Sequence, residues 1–593
     1  MTARDPASTD AAGPGLIARI AATIPGPVFM RELNAAGRRT WTYVTRGLFV
    51  LGLAGIMGLV FLSHLPAFHA SPSGLAQVQS LQGLAPTAAS TLVWFLFVTL
   101  TLAAASQCGG AICDERRKGS LASLLTTPLA AWEIVMGKLL AGLAEMLLLA
   151  LASLPLLLAV RVFGGLAAEA VFASFALMIP SIILTASFTI LASIRVKHAA
   201  TAMIAGLACT GALWLLPPLL STSITGAWGN RLNTLWWDLV PPFVLGRVTV
   251  EMIFGRQFGP AASVPWVVSS LSTLAAAAAV LGLATVLLRR TLAREASGPT
   301  LSRASGSSGG NAPRSRIVSD QPVLWRELHV QRGRRRWRIA RWAIVIVLLA
   351  AMWSVVVSST SIEPFYPVAI IGCILCLIAA ATATTGSIAA ERESRTLDSL
   401  LSTPLTPADI VRGKFFGAVR HLWFWPGVIT GHYLVMGLVV QAGMLGEHRS
   451  PWPLLAYPLI LLPPMAALCA SGILFSGLIR KTSTATTVNI CAGIAAWAGL
   501  PIVGGIVISL LRAYGNESLM GIVLMPNPVM HIVAATQAGV WVESHVDLAD
   551  WPKLSWPLYL LILCVYAGAY AAITWGLLAA AWSSRAWTGG SSR

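Results

Sequence analysis

The sequence predicts an all-α polytopic membrane protein, with twelve transmembrane helices in two tandem six-helix repeats of parallel orientation and amphipathic helices on the cytoplasmic side. Three observations predict it. Charged residues make up 11% of the 593 and hydrophobic ones 56%, against roughly 25% charge in a soluble domain, and the mean hydropathy is +0.74. Apolar runs recur that are long enough to cross a ~30 Å hydrocarbon core as helices. The polar segments between those runs come in matched pairs, one member in each half of the chain.

Residues 1–46 read as a cytoplasmic N-terminus. They are polar to mixed, carry Arg4, Arg19, Arg31, Arg38 and Arg39, and contain no cleavable apolar run. Within them "PVFMREL" (Pro27–Leu33) mixes apolar and charged residues as a short interfacial helix does. The first transmembrane domain, 47–288, holds spans at 47–66, 91–112, 139–160, 168–194, 198–220 and 264–288. Residues 289–341 form a basic cytoplasmic linker, Gly/Ser-rich over Ser297–Arg316, which ends in a second interfacial segment, "PVLWREL" (Pro322–Leu328). The second transmembrane domain, 342–582, holds spans at 342–359, 367–390, 419–441, 453–479, 484–511 and 556–582, and 583–593 is a cytoplasmic tail.

Lys and Arg set the orientation. With both termini and the linker inside, only Arg161, Arg231, Arg247, Arg256, Arg449, Arg512 and Lys553 of the 41 basic residues lie outside. The net charge of +18 is therefore a topology signal that faces anionic lipid head groups, and nucleic acid is not a partner. The eight cysteines fall almost entirely inside apolar runs, which excludes metal ligation and disulfide frameworks as their main role.

The most informative pair is "ERRKGSLASLLTTPL" (Glu115–Leu129) and "ERESRTLDSLLSTPL" (Glu391–Leu405), each between the second and third spans of its half. Leu121, Leu124 and Leu125 share one helical face, as do Leu397, Leu400 and Leu401. Pro128 and Pro404 end those helices. Thr406, Pro407 and Asp409 have cap, first-turn and third-position chemistry for a restart; Glu133 matches Asp409, although Ala130 cannot cap. "IRVKHAATA" (Ile194–Ala202) pairs with "IRKTSTATT" (Ile479–Thr487), and Gly137-Lys138 with Gly413-Lys414. A single such loop reads as a surface-lying amphipathic helix. Two at equivalent places read as a docking surface for cytoplasmic partners, with each leading carboxylate suited to a charge-assisted contact.

The pattern Glu-Arg-x-x-[Gly/Arg]-[Ser/Thr]-Leu-x-x-Leu-Leu-x-Thr-Pro-Leu, followed by Ile-Val-x-Gly-Lys and a span, resembles the permease subunits of ABC-2-type ABC transporters. The resemblance covers both halves and departs from the usual six-span subunit in fusing two halves. It implies that the second-to-third-span loops are coupling helices against two copies of a separate cytoplasmic ATPase, and that the outer fifth-to-sixth-span regions form the external gate. Carried over, it places Glu115, Arg116, Leu121, Leu124, Leu125 and Pro128, and Glu391, Arg392, Leu397, Leu400, Leu401 and Pro404, at the ATPase contact. It implies an exporter of the inner (plasma) membrane, itself not an enzyme.

No G-x-x-x-x-G-K-[S/T] phosphate loop occurs, since Leu139 and Phe415 follow the two Gly-Lys pairs. The chain is thus expected to bind no cofactor, with ATP and Mg on the partner. Two other readings fit a six-plus-six layout: an ion-coupled secondary transporter, and a membrane scaffold for a surface or motility complex. Ionisable residues within spans would favour the former, and few exist. Glu145 and His421, at matching places beyond the third and ninth span starts, are candidates for polar groups at the inner mouth or for side chains snorkelling to the interface. The outer segments "LWWDLVPPFVLGRV" and "VLMPNPVMHIVAA" mix Trp, Pro and apolar residues as half-inserted helices do.

Overall fold

A computed structural model of the chain describes residues 27–38, 40–70, 74–118, 130–162, 167–196, 199–221, 227–254, 264–296, 321–330, 365–443, 455–501, 503–504, 507, 525–540, 545–546 and 554–584. Leu121, Leu124, Leu125 and Pro128, and the span at 342–359, lie outside these residues. So does most of the 289–341 linker.

The first half begins with α1 (Pro27–Gly37), α2 (Thr40–Ala70), α3 (Gly74–Gly109) and the short α4 (Cys113–Lys118). It continues with α5 (Ala131–Val162), α6 (Ala168–Arg195) and α7 (Ala199–Ser221). Next come α8 (Ala227–Leu239) and α9 (Pro241–Phe254), and then α10 (Trp266–Ala296).

The second half repeats the order with α11 (Pro322–Val330), α12 (Phe365–Ala383), α13 (Ala389–Glu393) and α14 (Leu397–Leu401). Then come α15 (Pro407–Leu422), α16 (Phe424–Gly443), α17 (Tyr457–Leu478) and α18 (Thr482–Ile494), the last continued by a π-helical turn over Ala495–Gly499. Helices α19 (Pro528–Val540) and α20 (Trp556–Ser583) complete it, with one two-residue antiparallel ladder pairing β1 (His545–Val546) with β2 (Leu554–Ser555).

Among the described residues, seven helices are long and apolar enough to cross a membrane: α3, α5, α6, α7, α10, α17 and α20. This is a multi-pass membrane protein. Several helix ends differ from the sequence reading. The helix expected to end at 390 stops at Ala383, where Thr384–Ile388 turns the chain into α13. The ninth element starts at Pro407, ahead of the expected 419, because Thr406 caps it, and it breaks at Trp423.

Burial repeats between the halves. In the most apolar window of α6 and of α17, 61% is buried, and in those of α10 and α20, 22%. Helices α6 and α17 are therefore packed inside their halves, and α10 and α20 lie at the edges. Lipid tails give no hydrophobic drive between helices, so close packing and internal hydrogen bonds hold the bundle. On α6, Ser181, Thr185 and Thr189 donate to carbonyls one turn back, and Gly206 of α7 lets the backbones approach at Thr189. In the second half Asn489 Nδ2 donates to the carbonyls of Ala381 (2.7 Å) and Leu468 (3.0 Å) and its Oδ1 accepts from Ser471 (2.6 Å), joining α12, α17 and α18.

Each half has its own core. They meet where Leu102 and Ala105 of α3 and Met203 of α7 enter the second half's cluster. There Thr487 Oγ1 of α18 donates to Ser106 Oγ of α3 at 2.7 Å.

Candidate functional site

In the second half the site starts from two glycines. A Cβ at Gly413 would lie 2.8 Å from Val323 Cβ, and one at Gly417 2.7 Å from Glu327 Cβ. Their absence lets the interfacial helix α11 lie directly on α15. That approach brings Glu327 beside Lys414, whose side chain is 5% exposed. Lys414 Nζ donates to Glu391 Oε1 at 2.8 Å and to the Ser387 carbonyl at 2.9 Å, and stands 3.8 Å from Glu327 Oε1. Arg326, 59% exposed, flanks Glu391 at 3.8 Å from the solvent side. A desolvated ammonium held by a carboxylate and a carbonyl is the arrangement that offsets the cost of burying charge.

The first half builds the same site. Gly137 seats Val28, whose Cβ a side chain there would meet at 3.0 Å. Lys138, 6% exposed, reaches Glu115 Oε1 at 2.7 Å and Glu32 Oε1 at 3.5 Å, and Arg31 bonds Glu115 (3.2 Å) and Glu32 (3.1 Å). Burial works to raise the Glu32 carboxyl pKa, but Lys138 and Arg31 outweigh it and hold Glu32 below the ordinary range.

The Arg that follows each leading Glu reaches another element. Arg116 Nη1 donates to the Ile194 carbonyl (3.5 Å) and Arg392 Nη2 to the Gly477 carbonyl (3.0 Å). Both targets are in the last turn of the fourth-span helix, where carbonyls lack helical partners and the dipole attracts cations. The interfacial helix, the Glu-Arg pair, the Gly-Lys pair and the turn after the fourth span thus converge on one node in each half.

In the second loop Leu397 is buried, and Leu400 and Leu401 pack onto the core. Exposed instead are Ser394, Arg395, Asp398, Ser399, Ser402, Thr403 and Pro404. Arg395 has φ 57°, the left-handed conformation that favours glycine, and the first copy has Gly119 at that place. Thr406 and Asp409 form a full capping box on α15, and the bonds from Thr406 pull the exposed Asp409 carboxyl below its usual range. The first copy keeps only the return bond, from the Ala130 N–H to Glu133 Oε2 at 3.1 Å.

Glu115 and Glu391 therefore face lysines of their own chain, and the Leu face of the second loop looks inward. Glu145 accepts from Gln107 Nε2 of α3 at 2.8 Å. His421 Nε2 lies 3.4 Å from the Glu327 carbonyl, at the edge of the second node. Sequence reasoning missed Lys138, Lys414, Glu32, Glu327, Arg31 and Arg326 as site residues. The signal was present, since all six sit in motifs that recur.

Away from the node, an aromatic network anchors α19. Tyr570 donates to the Pro526 carbonyl (2.7 Å), Trp497 Nε1 to Tyr570 Oη (2.6 Å), and fully buried His531 donates from Nε2 to the Met525 carbonyl (2.8 Å). In the first half, an apolar cleft of about 630 Å³ lies between Phe188, Cys209, Leu213, Leu216 and Trp236. No group of three or more His, Cys, Asp or Glu among the described residues is placed to hold a metal.

The family model of the ABC-2 family transporter protein matches the chain twice, over residues 27–293 and 314–579. Among curated proteins none matches the chain.

Proposed function

Because the chain belongs to the ABC-2 transporter family, two copies of whose model cover most of it, we propose that it is the membrane-spanning permease subunit of an ATP-driven exporter. Both six-span halves lie in one chain, twelve spans in all, in the plasma membrane with both termini cytoplasmic. Two copies of a separate cytoplasmic ATPase supply ATP and Mg and dock on the loops that follow the second span of each half. The orientation follows from the Lys and Arg distribution. Export as the direction rests on family likeness.

The observation that carries this reading is the duplicated node. A docking loop must pass displacement to the helices that line a path. Here each loop is tied to three others: by Glu115–Lys138 or Glu391–Lys414 to the helix entering the third span of its half, by Arg31 or Arg326 to the interfacial helix, and by Arg116 or Arg392 to the end of the fourth. A push on the loop therefore moves a braced unit. Glu115 and Glu391 shape the docking surface from behind, while Asp398, Ser399, Ser402 and Thr403 offer polar groups outward.

The test is co-purification of a P-loop ATPase with the chain, and its hydrolysis rate with and without the chain in lipid nanodiscs. The wild type is expected to recruit it and change its rate, and the Glu115→Ala/Glu391→Ala double variant, whose loops lose the intrachain bonds that position them, to bind it at least about tenfold more weakly. A wild-type chain that recruits no ATPase and moves cargo with a proton or sodium gradient would show the secondary-transporter reading to be right.

A further inference from the structure

The two nodes are built from the same motifs but are not fastened alike. In the second half, Ser476 Oγ of α17 accepts the backbone N–H groups of Ile388 (2.9 Å) and Ala389 (2.8 Å), where the chain turns into α13. Glu393 Oε1 accepts the N–H of Thr482, the first residue of α18, at 2.9 Å. The hydroxyls of Thr385 and Thr486 bond at 2.7 Å. The second loop is thus held to the α17–α18 corner by directional bonds, two of which satisfy donors that a helix start leaves open.

The first half cannot make the bonds of Ser476 and Glu393. Aligning Ile194 with Ile479 puts Leu191 where Ser476 stands, and aligning Glu115 with Glu391 puts Arg117 where Glu393 stands. A leucine side chain has no acceptor, and a guanidinium has donors only. The ties of the first loop to its own corner include close packing, with Gly109 set so near α7 that a Cβ there would lie 2.8 Å from the Ala199 carbonyl, and the 3.5 Å bond of Arg116. Packed surfaces resist compression but can slide, whereas a buried hydrogen bond fixes direction. The latched helix also touches the other half, since Thr487, on α18, bonds Ser106 of α3 at 2.7 Å and lies against Met203 of α7.

We propose that Glu393 and Ser476 form a one-sided latch, which couples the second docking loop, and not the first, to α18 and through it to the seam between the halves. Both are positioning residues; they act through Thr482 and the turn before α13. The inference rests on the loops being ATPase docking sites and adds that the two sites differ in what they move. ATPase closure on the second loop drags α18 against α3, while the first loop has no counterpart of these two side chains and reaches its own fourth span through Arg116 and packing.

Hydrogen exchange read by mass spectrometry on the full chain in nanodiscs tests it, in three states: alone, with the co-purifying ATPase, and with that ATPase plus a non-hydrolysable ATP analogue. In the wild type, residues 482–494 are expected to change exchange on adding the analogue, and to change more than residues 199–209. Glu393→Arg/Ser476→Leu gives the second half the first half's residues. It is expected to bind the ATPase as the wild type does, to exchange at Thr482 roughly tenfold or more faster, the scale of a charge-assisted hydrogen bond, and to lose the response to nucleotide. Glu393→Gln keeps an acceptor oxygen and is expected to keep that response. Equal responses in the two halves, a surviving response in the double variant, or a Gln variant that behaves like Arg overturns the latch while leaving the docking reading intact. A wild type that binds no ATPase overturns both.

Discussion

Replacing Lys414 by Met destabilises the chain by about 3–5 kcal/mol, the usual consequence of removing one partner of a buried ion pair. Lys414 is 5% exposed, and the carboxylates it holds, Glu391 and Glu327, are 14% and 17% exposed. Without the ammonium, the cation left beside Glu391 among the described residues is Arg326 at 3.8 Å. Lys138→Met has the same effect in the first half, where Glu115 is 15% exposed. Arg326 and Arg31, 59% and 57% exposed, make the comparison decisive, because solvent-facing pairs contribute at most about 1 kcal/mol. Thermal unfolding in detergent should therefore rank Lys414→Met far below Arg326→Ala, with Glu391→Gln added to Lys414→Met recovering part of the loss. Equal effects of the Lys and Arg variants would mean that the node is not a desolvated pair.

Gly413→Val has the second-largest effect and works through shape. Its Cβ would stand 2.8 Å from Val323 Cβ and 3.1 Å from the Leu324 backbone nitrogen, so α11 must lift from α15. Overpacking of this kind costs about 1–3 kcal/mol, and the displacement also parts Glu327 from Lys414. The expected result is a lower unfolding temperature together with loss of the change in ATPase rate that the chain causes. A Cβ at Gly427, in α16, would meet nothing within 4 Å, and Gly427→Ala should be neutral or gain up to about 1 kcal/mol. A Gly413→Val protein with native stability and undisturbed coupling would contradict the seating of the interfacial helix.

Much of this architecture was legible because it is written twice. The interfacial helices, the paired loops and the Gly-Lys pairs were each visible as repeats, and the capping box at Thr406 and Asp409 could be read residue by residue, since capping is local chemistry. What one strand of sequence does not carry is which repeated motif folds onto which. Glu391 and Lys414 are separated by a helix, a proline break and a helix restart, and only the packing at Gly413 shows that they face each other. Periodicity likewise finds the face made by Leu397, Leu400 and Leu401 but not which way it points, and a membrane-attached loop has two apolar choices, its own core or a partner. The break at Trp423 was hidden for a different reason: an interfacial helix start and a membrane span run together without a change in composition. The His531–Tyr570 network has no period at all, because its members come from a loop, an outer helix and two spans.

The central claim is that the exposed edge of the second loop meets a cytoplasmic ATPase while its inner edge is braced by Lys414 and Arg392. A photo-crosslinking amino acid placed at Ser399, on that exposed edge, reads this directly in cells, with exposed Trp237 on the outer helix α8 as the opposite-side control. A crosslink is expected from position 399 to a P-loop ATPase, stronger when hydrolysis is blocked, and none from position 237. Absence of any ATPase adduct at 399, or an adduct at 237, would contradict that claim.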